Sequence, residues 1–204
     1  MSNTKQHWEQ IYQTKALHEV SWYQPKPETS LAFFKQFNVA KNAKIIDVGG
    51  GDSLLVDFLL DEGFSDVTVL DISESALKRA KERMGARANL VKWIVADAAH
   101  FTPTEKYEVW HDRAAFHFLT ETEAIENYIN TAKLAIQKNG ILIIGTFSEQ
   151  GPKKCSGIDI RQYSETSMTE LFEPYFEKVS CIFPEHQTPA GNIQNFIFCS
   201  FKQI

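Results

Sequence analysis

The stretch Ile45-Ile46-Asp47-Val48-Gly49-Gly50-Gly51-Asp52-Ser53 constrains this chain more than any other. Apolar residues run into an acid and three glycines follow. Leu54-Leu55-Val56-Asp57-Phe58-Leu59-Leu60 then resumes with apolar residues on one helical face. That order reads as a buried strand, a glycine turn and the start of a helix. Glycine lets the backbone approach a ligand closely, and a helix start presents N–H groups that lack intrahelical partners. A nucleotide-like ligand is the first expectation.

From Lys44 onward, strand and helix patterns alternate. Strands are expected at 44–48, 66–71, 90–95, about 107–111 and 141–147. Helices are expected at 52–62 with Gly63 ending it, from Ser73 to about 84, and from 120 to about 137. Thr120-Glu121-Thr122-Glu123 reads as a capping box. Another helix starts near Ser164 and stops before Pro174. Segments 176–183 and 195–201 are strands with no helix between them, so they should pair antiparallel. The expected fold is α/β: a Rossmann-like, doubly wound, mostly parallel sheet with an antiparallel C-terminal strand. Upstream, helices at 5–15 and 28–37 flank Trp22-Tyr23-Gln24-Pro25-Lys26-Pro27, an extended connector. This reads as one domain over 1–204, with an N-terminal helical cap (1–40) and a core (41–204). Trp22-Tyr23 ahead of two prolines favours a cap that covers a pocket.

The net charge of -5 argues against a partner bound through a phosphate backbone. Lys78-Arg79-Ala80-Lys81-Glu82-Arg83, with Arg87 and Lys92, is the most basic run and reads as a solvated helix face. Cys155, Cys181 and Cys199 include no C-x-x-C, so neither a disulfide framework nor a metal site is expected. A reducing, cytoplasmic compartment follows. The polar N-terminus does not read as a signal peptide, and no apolar run approaches a membrane span. Neither nucleic acid nor membrane is an expected partner, and a monomer or weak dimer is expected.

Asp47, Asp71, Asp97 and Asp112 each follow an apolar strand, where open α/β sheets bind ligands. A dinucleotide fingerprint starting at Gly49 needs glycine at position 54, which is Leu54. The G-x-x-x-x-G-K-[ST] and G-x-S-x-G patterns are absent as well. A cofactor without phosphate, carrying a ribose and an amino-acid tail, fits better. Asp71, at the second strand end, suits both ribose hydroxyls.

Asp47-Val48-Gly49-Gly50-Gly51 resembles the first motif of the class I S-adenosylmethionine-dependent methyltransferases. Val69-Leu70-Asp71-Ile72-Ser73 resembles their acidic ribose loop, and Ala96-Asp97-Ala98 their adenine site. The terminal strands resemble their sixth and seventh, and the likeness covers roughly residues 40–204. The resemblance implies a seven-stranded sheet in the order 3-2-1-4-5-7-6. It implies S-adenosyl-L-methionine as cofactor and S-adenosyl-L-homocysteine as product. The implied cofactor residues are Asp47, Gly49, Gly50, Gly51, Asp71, Ile72, Asp97 and Ala98, completed by His111 and Trp22. His111-Asp112-Arg113-Ala114-Ala115-Phe116 is similar to a D-R-[AG]-A-[LF] segment of thiopurine methyltransferases and their tellurite-resistance relatives. Some elongation-factor lysine methyltransferases carry D-[KR]-G-[TA] there, and Ala114 stands where glycine is common.

A small-molecule acceptor is therefore expected, with a protein lysine or a non-catalytic cofactor-binding module as alternatives. Asp112 is the expected catalytic contact, its other reading being an ion pair with Arg113, and His117 is the candidate base. Arg113 suits an anionic substrate, and His186 lies in a loop able to reach the same mouth. Trp22, Tyr23 and Phe116 are candidates for an apolar acceptor pocket. Cys155, beside Lys154, lies in a loop after the fifth strand.

Overall fold

The computed structural model describes residues 3–204. Helices α1 (Asn3–Thr14) and α2 (Glu28–Gln36) precede β1 (Lys44–Val48), α3 (Leu55–Asp61), β2 (Asp66–Asp71), α4 (Glu74–Met84), β3 (Val91–Val95) and β4 (Tyr107–Arg113). Then come α5 (Thr122–Ala135), β5 (Ile136–Phe147), the small hairpin β6 (Lys154–Cys155) and β7 (Ile158–Asp159), and α6 (Glu165–Phe172). The chain closes with β8 (Phe176–Ile182), β9 (Glu185–Gln187) and β10 (Ile193–Gln203). The main sheet runs β3-β2-β1-β4-β5-β10-β8, with β9 added on β10. Neighbours from β3 to β5 are parallel, and β10 is antiparallel to both β5 and β8. This is the expected order, with β8 and β10 as sixth and seventh strands and β9 as an unanticipated addition.

Period-two alternation sorts the strands' side chains onto two faces. Ile45, Val67, Val69, Val109 and Ile143 meet α2, α3 and α4 through Phe33, Phe34, Leu59 and Leu77. Ile46, Val48, Trp110, Leu142 and Ile144 meet α5 and α6 through Tyr128, Ile129, Met168 and Phe172. Each such side chain, once fully buried, contributes about 1.5–3 kcal/mol, so this two-faced core dominates the stability. Helix α2 belongs to it, since Phe34 packs on Phe64 and Phe33 on Phe198. Helix α1 packs on α4, where Trp8 and Tyr12 meet Ala76.

Several local expectations need correction. Helix α3 starts at Leu55, because residues 52–54 remain in the glycine turn. The capping box does not form. Glu121 is the N-cap of α5 without a side-chain bond, which puts Thr120 one residue too early. Helix α5 ends at Ala135, and Asn139, in the left-handed region at φ 65°, lies in an irregular part of β5.

The basic run on α4 is not a free solvated face. Arg79 and Arg83, four apart, share one stripe of α4, and Arg87 lies in the 3-10 turn (Gly85–Leu90) that follows it. They pair with Asp52 at 2.8 Å, Asp57 at 2.6 Å and Asp61 at 2.6 Å. Cys181 and Cys199 are directly opposite on β8 and β10 and are joined by a disulfide. The spacing in sequence gave no hint of this, because antiparallel pairing rather than a Cys motif brings them together. No described helix is long and apolar enough to cross a membrane.

Candidate functional site

The glycine turn follows from its neighbours. Gly49 has φ +67°, and a side chain there would overlap the Ala115 methyl. At Gly50 a Cβ would lie 2.6 Å from Asp47 Oδ2, so the absence of a side chain admits that carboxylate. The N–H groups of Gly49 and Gly50 both donate to the Leu70 carbonyl, at 2.8 and 3.2 Å. Arg83 donates to the carbonyls of Asp52 and Ser53, and Arg79 holds the Asp52 carboxylate. The turn is thus held from the β2 side and from α4.

A cavity opens beyond the carboxyl ends of β1, β2, β3 and β4. Its floor and sides carry Gly49, Leu70, Asp71, Ile72, Ala96, Asp97 and Ala98, then Arg113, Ala114 and Ala115. Its roof carries Trp8, Tyr12, Trp22, Phe118 and Cys155. A smaller cavity adjoins it, lined by Ser30, Asp47, Gly50 and His111, and shares Tyr12, Trp22, Gly49 and Arg113 with the first. Of the expected cofactor residues, Trp22, Gly49, Asp71, Ile72, Asp97 and Ala98 line the large cavity, and Asp47, Gly50 and His111 the small one. Gly51 lies just behind, where a Cβ would sit 2.7 Å from the Tyr12 hydroxyl and 3.2 Å from Asp71 Oδ2.

The acids differ in environment. Asp71 is buried, and Ser73 N–H donates to its Oδ1 at 2.8 Å. Burial raises its pKa to about 7, and the carboxylates of Asp52 and Asp47 push it the same way. Asp97 is more open. Its Oδ1 accepts from Ala99 N–H at 3.0 Å, and its Oδ2 lies 3.2 Å from His100 Nδ1. Asp47 Oδ1 accepts from His111 Nδ1 at 2.7 Å, and His111 Nε2 meets Ser30 Oγ at 2.9 Å. Arg113 Nη1 donates to the Trp22 carbonyl at 3.0 Å, while its Nη2 is buried without a partner among the described residues. Burial lowers the Arg113 pKa to about 10, so it keeps its charge at neutral pH.

Asp112 and His117 are not on the cavity wall. Strand alternation sends Asp112 to the α5 face, opposite to His111. There Asp112 Oδ1 accepts from the N–H groups of Ala115 (3.0 Å) and Phe116 (3.1 Å), and Oδ2 from the Tyr128 hydroxyl (2.7 Å). Trp110 Nε1 donates to that same hydroxyl at 2.8 Å. Asp112 makes no ion pair with Arg113. Burial lifts its pKa to about 6, against the pull of Tyr128 and the two amides. His117 is sandwiched between Phe118 and Phe147, its ring centroid 4.5 and 4.6 Å from theirs, and accepts from Phe147 N–H at Nδ1. Burial, reinforced by the Arg113 charge, drives its pKa to about 3, too low for a base at neutral pH. Phe116 is core, stacked on Tyr163, and Tyr23 is off the wall. His186 Nε2 donates to the Ser21 carbonyl at 2.7 Å and so ties β9 to the connector. Cys155 is a buried thiol whose pKa burial raises to about 11, the reverse of an activated one.

The roof was only partly visible in the sequence. Trp8 and Tyr12 are four apart on α1 and meet Trp22 and Phe118, with ring centroids 4.9–6.3 Å apart. The docking of α1 rests on distant partners. The Glu9 carboxylate accepts from the N–H groups of Glu74 and Ser75 at the start of α4, at 2.7 and 3.1 Å. Arg79 donates to the carbonyls of Tyr12 (2.9 Å) and Lys15 (2.6 Å). The Tyr12 hydroxyl, the Tyr128–Asp112 bond and the Ser30–His111 bond had no local sequence signal.

Residues 45–140 match a family model described as "Methyltransferase domain". The mouse eEF1A lysine and N-terminal methyltransferase is 27% identical over 121 residues, 58% of this chain but 17% of that protein. The chain thus spans under a fifth of that relative's length. EEF1A lysine methyltransferase 2 of Danio rerio is 22% identical over 208 residues, covering 94% of this chain and 80% of the relative. Malonyl-[acyl-carrier protein] O-methyltransferase 2 of Ilyobacter polytropus is 24% identical over 106 residues, covering 52% of this chain and 39% of the relative. A solved SAM-dependent methyltransferase from Anabaena variabilis superposes with a TM-score of 0.78 at 19% identity, covering 100% of this chain and 96% of that one.

Proposed function

From a chain that belongs, by its fold and its family match, to the class I S-adenosylmethionine-dependent methyltransferases, we propose an enzyme that methylates a small, largely apolar acceptor. Its cofactor is S-adenosylmethionine. One observation carries the reading of the site: two adjoining cavities share Tyr12, Trp22, Gly49 and Arg113, with Asp71 and Asp97 on one and Asp47 on the other. That spacing of charges suits a ligand with a nucleoside at one end and a zwitterionic amino acid at the other.

Asp71 accepts from the ribose hydroxyls through the carboxylate that burial leaves under-solvated. Asp97 accepts from the adenine amine, and Ile72 and Ala98 flank the ring. The small cavity takes the amino-acid tail. The unpartnered Nη2 of Arg113 meets its carboxylate, Asp47 its ammonium, and Gly49 and Gly50 let the tail approach the backbone. When bound, the cofactor supplies an electrophilic sulfonium methyl. The chain's part is to orient the acceptor in line and exclude water, which the ring cluster of Trp8, Tyr12, Trp22 and Phe118 does as a roof. With His117 neutral and off the wall, it does not serve as base, and Asp112 acts by holding the turn at Ala115 and Phe116. An acceptor that needs no strong base, such as a thiol or an uncharged amine, suits this wall.

A second reading, a protein lysine acceptor, is favoured by the near full-length match to the Danio rerio relative. Turnover to S-adenosylhomocysteine across thiols, amines, carboxylates and protein lysates separates the two. Cofactor binding without turnover on any acceptor points to a non-catalytic module. Calorimetry with S-adenosylmethionine, using Asp71→Asn as control, tests the site, and absence of heat from wild-type protein sinks it. A cytoplasmic location requires Cys181 and Cys199 as thiols, which a free-thiol count on freshly isolated protein reads.

A further inference from the structure

Ser30, His111 and Asp47 form one buried hydrogen-bonded line, of which the proposed chemistry uses only Asp47. They come from three elements: Ser30 from the first turn of α2, His111 from β4 and Asp47 from β1. None is more than 3% exposed. Asp47 and His111 are adjacent in register on paired parallel strands, and alternation turns both to the α2 side. A carboxylate only accepts, so His111 donates its Nδ1–H to Asp47 Oδ1. Ser30 Oγ holds the other ring nitrogen. With Oδ1 committed, Asp47 Oδ2 is the oxygen turned to Gly50 and the small cavity.

We propose that His111 is a positioning residue. Backed by Ser30, it fixes the Asp47 carboxylate so that Oδ2 receives the ammonium of the cofactor's amino-acid tail. This rests on the reading of the small cavity as the tail site. A carboxylate has two oxygens and a soft terminal torsion, so one charge-assisted bond to Oδ1 settles where the second oxygen points. The Asp47 carboxylate also faces a charged neighbour, Arg113, across the same cavity. Without the His111 bond it would swing toward that guanidinium and neutralise the group reserved for the tail carboxylate. His111 thereby keeps the two charges of the tail site apart.

The test uses two conservative substitutions and two ligands. The amide nitrogen of asparagine overlays Nδ1 of histidine, and that of glutamine overlays Nε2. His111→Asn therefore retains the bond to Asp47, and His111→Gln retains only the bond to Ser30. S-adenosylhomocysteine carries the amino-acid tail, and 5′-methylthioadenosine lacks it. Dissociation constants for both ligands are measured by calorimetry. His111→Gln should weaken S-adenosylhomocysteine about tenfold or more, leaving methylthioadenosine within about twofold, as expected for one charge-assisted bond. His111→Asn should stay within about threefold of wild type for both ligands.

Equal losses of both ligands in either variant mean a merely structural role and overturn the proposal. So does a Gln variant that binds the tailed ligand as well as the Asn variant does. If neither histidine variant folds, Ser30→Ala carries the test: a loss selective for the tailed ligand supports the proposal, and an unselective or absent one overturns it. Wild-type protein that binds neither ligand refutes the cofactor reading itself, and the positioning role with it.

Discussion

Asp71→Asn should make the free protein more stable at pH 8 while weakening its cofactor binding. In the free protein Asp71 is buried, and its pKa stands at about 7 against an ordinary 3.8. Burial is the main cause, and Asp52 and Asp47 add repulsion. A carboxyl that holds its proton more tightly when folded lowers native stability as pH rises from about 4 to about 7. Above that range the cost is complete, about 4 kcal/mol if the whole rise is counted at 1.36 kcal/mol per pH unit. Asparagine carries no charge, so the variant escapes it, but its amide oxygen accepts more weakly from Ser73 N–H. A net gain of about 1–3 kcal/mol at pH 8 remains. The gain should shrink steadily as pH falls toward 4, where Asp71 is protonated in the native state. Urea unfolding of both proteins, stripped of ligand, across pH 4–8 measures it. The same substitution should cost about 10- to 100-fold in S-adenosylmethionine affinity, because the ribose hydroxyls lose an ionised acceptor. For wild type, affinity should rise as pH increases through 7, with proton release visible as a buffer-dependent binding heat. A stability difference that is flat with pH would refute the idea that Asp71 holds a buried charge in waiting.

Ala114 sits in the left-handed region at φ 66°, which costs an L-residue about 1–2 kcal/mol, so Ala114→Gly should raise stability by about 0.5–1 kcal/mol in a thermal scan. A lowered melting temperature would show that the Ala114 methyl packs too well to lose. Asp112→Ala strands the Tyr128 hydroxyl and the amides of Ala115 and Phe116, and should cost about 3 kcal/mol or more in urea unfolding. Full stability with turnover abolished would return Asp112 to a catalytic role. Glu9→Ala removes the acceptor at the start of α4 and should loosen α1 by about 1 kcal/mol, speeding cofactor dissociation about fivefold in stopped flow. An unchanged rate would mean that α1 does not retain the cofactor.

The parallel sheet was legible because its signals are local and repeated. Apolar runs of strand length, a glycine turn and alternating helical stripes each act over a few residues, and together they leave one economical arrangement. The acids at the strand ends were legible for the same reason, and Asp71 and Asp97 do line the cavity. Asp112 was read as their equal because it too ends a strand. Its parity sets it apart: it is two residues from Trp110, which packs on α5, and one from His111, which faces α2. A strand-end residue serves the cavity only if the alternation behind it points that way, and in β4, buried on both faces, the sequence does not mark which parity that is. Nor does the sequence mark pairing at a distance. Cys181 meets Cys199 because β8 lies beside β10, and Arg79 meets Asp52 because α4 lies beside the glycine turn.

The same long-range ties connect the roof to the turn. Arg79 holds the end of α1 through the carbonyls of Tyr12 and Lys15, and with its other nitrogen it holds Asp52 in the glycine turn. The Tyr12 hydroxyl then rests against Gly51 and beside the Asp71 carboxylate. One arginine thus sets both the floor and the roof of the larger cavity. Asp52 is almost fully buried, and burial raises its pKa despite Arg79, so the pair is held at a desolvation cost that a surface ion pair would not carry. Trp8 and Tyr12 of α1 line the same cavity as Asp71. A ligand held there is enclosed only while α1 is docked, so cofactor binding and the docking of α1 should strengthen each other.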